Sequence, residues 1–241
     1  MLACNSTEDH SVVVPVPGAW LQGRHRRPPE ARGLVLIGFG ADGNPQGRVG
    51  KNLAKDLNDG GLATLLVDLL DGEERADPHT HSDSNLLTER WITIARWLRQ
   101  SSPYAGWTVG LYACGIPAAG ALMAAARQPE DVQAVVTHNG RADLAENWLP
   151  LVEAPTLLLV DRGEEDLVEV NRRAVGHLDT TWKMVEVEKG AGEQPSRVAG
   201  PASRLARTWF LKNLRTRSLM EREECLEDWM GPEGSDGGGL S

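Results

Sequence analysis

Short runs that are apolar on both faces recur along this chain at strand length, with helical stretches between them. The first is Gly33-Leu34-Val35-Leu36-Ile37, and the type returns at Ala63 to Val67, Trp107 to Tyr112, Val132 to Thr137, Thr156 to Val160 and Trp182 to Val187. A strand with one wet face alternates polar and apolar residues, so a run without alternation implies helices packed on both faces, as in a parallel sheet. The intervening stretches carry helical spacing. Val49, Leu53 and Leu57 recur every four residues before Gly60-Gly61, and Leu87, Trp91, Ile94 and Leu98 mark a second helix. Pro117 to Arg127 is Ala-rich, with Pro in the first turn, where a missing N–H costs little. Leu167 to Leu178 and Ala202 to Leu214 complete the set. Ahead of the first run, Val12–Val16 and Ala19–Gln22 flank Pro17-Gly18 and read as a β-hairpin. The pattern predicts a doubly wound, mainly parallel α/β sheet with helices on both faces and an N-terminal β-hairpin.

The chain's 241 residues suit one such domain. We place it at residues 11–217, between an expected flexible start at 1–10 and an acidic segment at 218–241. That last segment carries seven acids against one base, Arg222, a net of −6 within a chain total of −9. The overall charge disfavours a general nucleic-acid surface. No apolar run approaches the roughly 18 residues of a membrane-spanning helix, and the start lacks the basic and apolar regions of a secretory signal. Cys4, Cys114 and Cys225 are widely spaced and form no CxxC, so neither a disulfide framework nor a zinc knuckle is indicated, and the expected location is cytoplasmic. Around His25, Arg24, Arg26, Arg27 and Arg32 face only Glu30 in sequence, a second uneven run of charge.

In an open α/β sheet, ligands bind beyond the carboxyl ends of the strands. Those loops contain Gly38-Phe39-Gly40-Ala41-Asp42-Gly43, Asp71 to Ser84, Ala113-Cys114-Gly115-Ile116-Pro117, His138-Asn139-Gly140-Arg141 and Asp161 to Asp166. The order of elements, the strand–elbow–Ala-rich helix at Trp107 to Ala126 and the run Ala-Pro-Thr-Leu-Leu-Leu-Val resemble the α/β-hydrolase fold, most closely its dienelactone-hydrolase-like branch. The likeness runs from about Val12 to Leu214.

The resemblance implies a Ser or Cys on a strained turn, flanked two residues either side by small residues, then an acid, then a histidine after the last strand. Ala113 and Pro117 match the flanking positions, which puts Gly115 in the nucleophile slot with no atom to attack. Sliding by one brings Cys114 into the slot but sets Tyr112 and Ile116 in the crowded positions. For the acid, Glu164 matches best within Asp161-Arg162-Gly163-Glu164-Glu165-Asp166. The same acids also suit the N-terminus of the next helix, where negative charge is favourable. The six histidines are His10, His25, His79, His81, His138 and His177, none in the expected loop Glu188 to Pro195. A hydroxyl or thiol without a base near neutrality gains little activation.

Three readings therefore stand. The first is a catalytically degenerate binding or assembly module, whose pocket is lined by Phe39, Gly40, Cys114, Gly115, His138 and Glu164. Its partner-binding segment carries Leu219, Leu226, Trp229 and Met230 along one side of an acidic helix. The second is an ester or lactone hydrolase using Cys114 as nucleophile, His138 as base and Glu164 as orienting acid. The third is a structural subunit of a larger complex. No cofactor and no metal are expected. His79 and His81 with Asp77 or Asp83 are weak metal candidates, and Gly38-x-Gly40-x-x-Gly43 is a weak dinucleotide fingerprint because its helix starts several residues late.

Overall fold

The computed structural model describes residues 8–41, 47–101, 104, 107, 109–189 and 200–214. One eight-stranded sheet organises them, in the order β1-β2-β4-β3-β5-β6-β7-β8. The strands β1 (Glu8–Val16) and β2 (Ala19–Arg27) form the expected hairpin, with Gly18 at φ +78° in its turn. Antiparallel pairing carries β2 onto β4 (Ala63–Asp68), which explains its greater length. The hairpin register also takes Glu8 to His10 into the sheet, so the start expected as flexible contributes three residues to β1.

From β4 onward every pairing is parallel, through β3 (Leu34–Phe39), β5 (Val109–Cys114), β6 (Val132–His138), β7 (Thr156–Asp161) and β8 (Trp182–Val187). All six residues of β3 and of β7 are buried, the expected signature of central strands. At the edge, β8 leaves Trp182 and Lys183 exposed.

Helices α1 (Arg48–Asp59) and α7 (Pro201–Asn213) cover one face over Val35, Ile37, Leu66 and Tyr112. On the other face lie α4 (Ser84–Ser101) and α5 (Pro117–Arg127), joined by the end of α6 (Glu165–Ala174). Trp91 of α4 is fully buried, and a Cβ on Gly38 would reach its ring at 2.5 Å, so the strand end and the helix touch only because that residue has no side chain.

Two short helices were not predicted. In α2 (Gly72–Ala76) the Asp71 carboxylate accepts from the Glu73 and Glu74 N–H groups, while Glu74 reaches back to the Asp71 N–H at 3.0 Å, a capping box. In α3 (Pro78–His81) Asp77 caps and Pro78 opens the turn. Both are too short to show apolar periodicity. The helix expected to continue to Leu178 ends at Ala174 and tightens into a 3-10 turn over Val175–His177. A longer 3-10 segment, Ala142–Leu151, follows β6. No helix among the described residues is long and apolar enough to cross a membrane.

Candidate functional site

The strand β5 ends at Cys114, and α5 begins at Pro117, so the chain must reverse within two residues. Gly115 does this at φ +65°, a left-handed conformation that costs an L side chain about 1–2 kcal/mol. Its N–H donates to the His138 carbonyl at 3.2 Å, and its carbonyl accepts from the Ala118 N–H, which pins the turn to β6 and to the helix. An added Cβ at Gly115 would meet nothing within 4 Å. The elbow thus has room for a side chain and carries none.

That room is part of a cavity of about 320 Å³ at the carboxyl ends of β3 and β5. Phe39, Gly40, Cys114 and Gly115 line it, as the sequence suggested, and so do Arg48, Val49 and His81. The loop after β3 is held by a strut that no motif announced. Arg75 of α2 donates to the Ala41 carbonyl at 2.8 Å and the Gly40 carbonyl at 3.2 Å, and pairs with Asp68 at the end of β4. The Nε2 of His81 bonds the Arg75 carbonyl at 2.8 Å. Among the described residues no group of three or more His, Cys, Asp or Glu side chains could hold a metal ion. Of the glycine fingerprint, Gly43 lies outside the described residues.

His138 and Glu164 are not on the cavity wall. The imidazole lies across the ends of β5, β6 and β7, bonding the Tyr112 hydroxyl through Nδ1 at 3.1 Å and Asp161 through Nε2 at 2.8 Å. Asn139, itself at φ +48°, clamps Asp161 twice, donating to its carboxylate at 3.0 Å and accepting from its N–H at 2.8 Å. An ionised carboxylate only accepts, so Nε2 donates to Asp161, while Nδ1 shares a hydrogen bond with the Tyr112 hydroxyl. Both nitrogens are committed. Burial raises the Asp161 carboxyl, but the hydrogen bonds from His138 and Asn139 outweigh it and hold the group below the usual carboxylate range. Burial also pushes the Tyr112 hydroxyl well up.

Cys114 stands beside this array, on the cavity wall. Burial pushes its thiol up to about 12; the neighbouring Tyr112 hydroxyl pulls it down less, and Asp161 adds to the rise. The second reading of the sequence needed a depressed value and an imidazole lone pair. It also paired His138 with Glu164, which instead meets Lys189 at 3.2 Å at the exposed start of α6. The acid beside His138 is Asp161, the last residue of β7. Glu165 and Asp166 occupy the first turn of α6, as the charge argument anticipated. Beyond Lys189, the loop expected to carry a histidine lies outside the described residues, as do Leu219, Leu226, Trp229 and Met230.

No family model matches the chain. Two curated Mycobacterium tuberculosis proteins, from strains CDC 1551 and H37Rv, are 34% identical to it over 205 residues and carry the provisional name phosphoribosyl transferase. The match covers 84% of this chain and 45% of each, so the chain spans about half the length of those relatives. A solved dienelactone hydrolase from Anabaena variabilis superposes with a TM-score of 0.80 at 34% identity, over 87% of this chain and 99% of its own. A dienelactone hydrolase-like promiscuous phosphotriesterase from metagenomic libraries gives 0.67 at 15% identity, over 86% of this chain and 99% of its own, a likeness of fold alone.

Proposed function

The chain belongs to the dienelactone hydrolase family of α/β-hydrolases, and from that premise we propose that it is a member without acyl-transfer chemistry, serving as a binding or assembly module. The observation that carries this is Gly115. It holds the left-handed conformation of the elbow, faces an open cavity and offers no nucleophile. Two further features support the reading. His81 on the cavity wall is tied through Nε2 to the Arg75 carbonyl, and the two groups beside the elbow offer little: the His138 imidazole is committed on both nitrogens, and the Cys114 thiol is held protonated at neutral pH. Covalent acyl transfer needs an activated nucleophile, and neither group supplies one.

The tested statement is kinetic. A panel of acyl esters and lactones, run on the wild type and on Cys114→Ala, is expected to show no turnover above buffer in either protein. Turnover in the wild type that the substitution abolishes would replace this reading with the Cys114 hydrolase. That alternative draws on one real feature, the chain of contacts from Cys114 through Tyr112 to His138 and Asp161. The structural-subunit version of the proposal is separated by purification from native extract, where an obligate subunit is not recovered alone. In the proposed role the protein is cytoplasmic, and Leu219, Leu226, Trp229 and Met230 are its partner contacts. Truncation after Arg217 is expected to abolish partner capture.

A further inference from the structure

At the end of the sheet opposite the cavity, a basic rim lies where the described chain stops. One register row crosses four strands there, pairing Arg26 of β2 with Thr64 of β4, Thr64 with Val35 of β3, and Val35 with Gly110 of β5. Residues paired in this way point to one face, here the face covered by α1 and α7: Asn58 of α1 donates to the Thr64 hydroxyl at 3.1 Å, and a Cβ on Gly110 would meet Phe210 at 2.6 Å and Leu214 at 3.5 Å. Two other cations belong to the same rim. The Arg32 N–H donates to the Gly61 carbonyl at 2.8 Å, and the Arg207 side chain lies against Gly60, where any added Cβ would collide with it. All three surround the α1 C-terminus. Lys212 is exposed on the last turn of α7.

The acids of this neighbourhood are mostly taken. Asp59 pairs with Lys55 at 2.5 Å, Asp56 accepts from Ser203 at 2.6 Å, and Asp9, which faces Arg26 across the hairpin and feels its charge, is held by Arg24 at 2.8 Å, leaving Glu30 exposed. Arg26, partly exposed, has a buried Nε with no hydrogen-bond partner among the described residues.

We propose that the chain's own acidic segment, centred on Glu221 to Asp228, docks on this rim. Reach permits it. Leu214 packs over Gly110, three strand spacings or about 14 Å from Arg26. Seven extended residues from Leu214 to Glu221 cover up to about 24 Å. Charge complementarity selects it, since the segment carries a net −6 and begins four residues past Leu214. The inference does not depend on the lost chemistry of the cavity. It adds that any partner of this segment competes with the domain's own surface, and that the competition is salt-sensitive.

Cys225 lies inside the segment and is a native handle for the test. A nitroxide is placed on it in full-length Cys4→Ser/Cys114→Ala protein, in which Cys225 is the remaining cysteine. Amide signals of residues 24–27, 60–64 and 210–214 are expected to broaden at low salt. They should recover at about 1 M salt, where screening acts over about 3 Å. They should recover as well in Arg26→Glu/Arg32→Glu/Arg207→Glu. If that triple variant unfolds, Glu223→Gln/Glu224→Gln/Glu227→Gln asks the same question without touching the domain. Three results overturn the proposal: no broadening at low salt, broadening confined to the cavity residues, or broadening of unlabelled isotope-enriched protein mixed with labelled protein, which means a second copy is the dock.

Discussion

Two neighbouring ends of the same sheet have been left in opposite conditions. At β5 the elbow keeps its left-handed residue, its cavity and its braced loop, and the elbow residue itself brings no reactive atom to the open space. Beside it, Tyr112 of β5, His138 of β6, Asn139 and Asp161 of β7 form a dense array of ionisable and polar groups with both nitrogens of the imidazole occupied. There the polar atoms are already partnered. Acyl chemistry needs both at one place, an unsatisfied nucleophile aimed into a volume a substrate can enter. The framework folds around its cleft in either case, because the elbow is held by backbone hydrogen bonds and helix packing.

The comparison can be broken most severely from the packed side of the elbow. Trp91 is fully buried, donates to the Pro117 carbonyl at 3.0 Å and sits on Gly38. Trp91→Ala is expected to cost about 3–5 kcal/mol in urea unfolding. A smaller loss, below about 1 kcal/mol, means the elbow does not rest on that contact. Next is the thiol between the two regions. Moved from 9.0 to about 12, Cys114 holds about a thousandfold less thiolate at neutral pH, and its alkylation is expected to lag that of Cys4 and Cys225 by a similar factor. Equal rates place the sulfur in a different environment.

On the saturated side, Asp161→Asn exchanges a charged acceptor for a neutral one and is expected to cost about 1.5–3 kcal/mol at pH 7. The folded carboxyl is depressed, so its contribution is present above the unfolded value of about 4 and is lost as pH falls through the folded one. The wild type is therefore expected to lose stability more steeply than the variant below about pH 4, and parallel acid unfolding curves exclude this account. The smallest effect sharpens the comparison directly. Gly115→Ser has room for its Cβ and is expected to cost about 1–2 kcal/mol from the left-handed backbone. Esterase activity is expected to stay absent, since His138 remains committed to Tyr112. Activity gained by the single substitution shows that the two regions communicate.

The alternation of doubly apolar runs with helical stretches was enough to read the sheet, both helix layers and the hairpin, because burial on two faces removes the polar positions from a strand. The family's spacing also put Gly115 in the elbow, where a left-handed φ is observed. The site's second half was not legible. Glu164 and Asp161 are three residues apart in an acid-rich stretch, and only the pairing of β6 with β7 decides which one meets His138. Arg75 lies 34 residues from the carbonyl it braces, on a helix of one turn with no periodicity to find.

Local patterns thus settled what is local: where strands and helices form, and that the elbow residue has no side chain. Tertiary structure alone decided which ionisable groups meet, since a hydrogen bond between side chains depends on strand register and side-chain direction to within an ångström. Composition and spacing carry no such information. The glycine at the elbow was written in one residue, whereas the occupied imidazole needed three strands brought side by side.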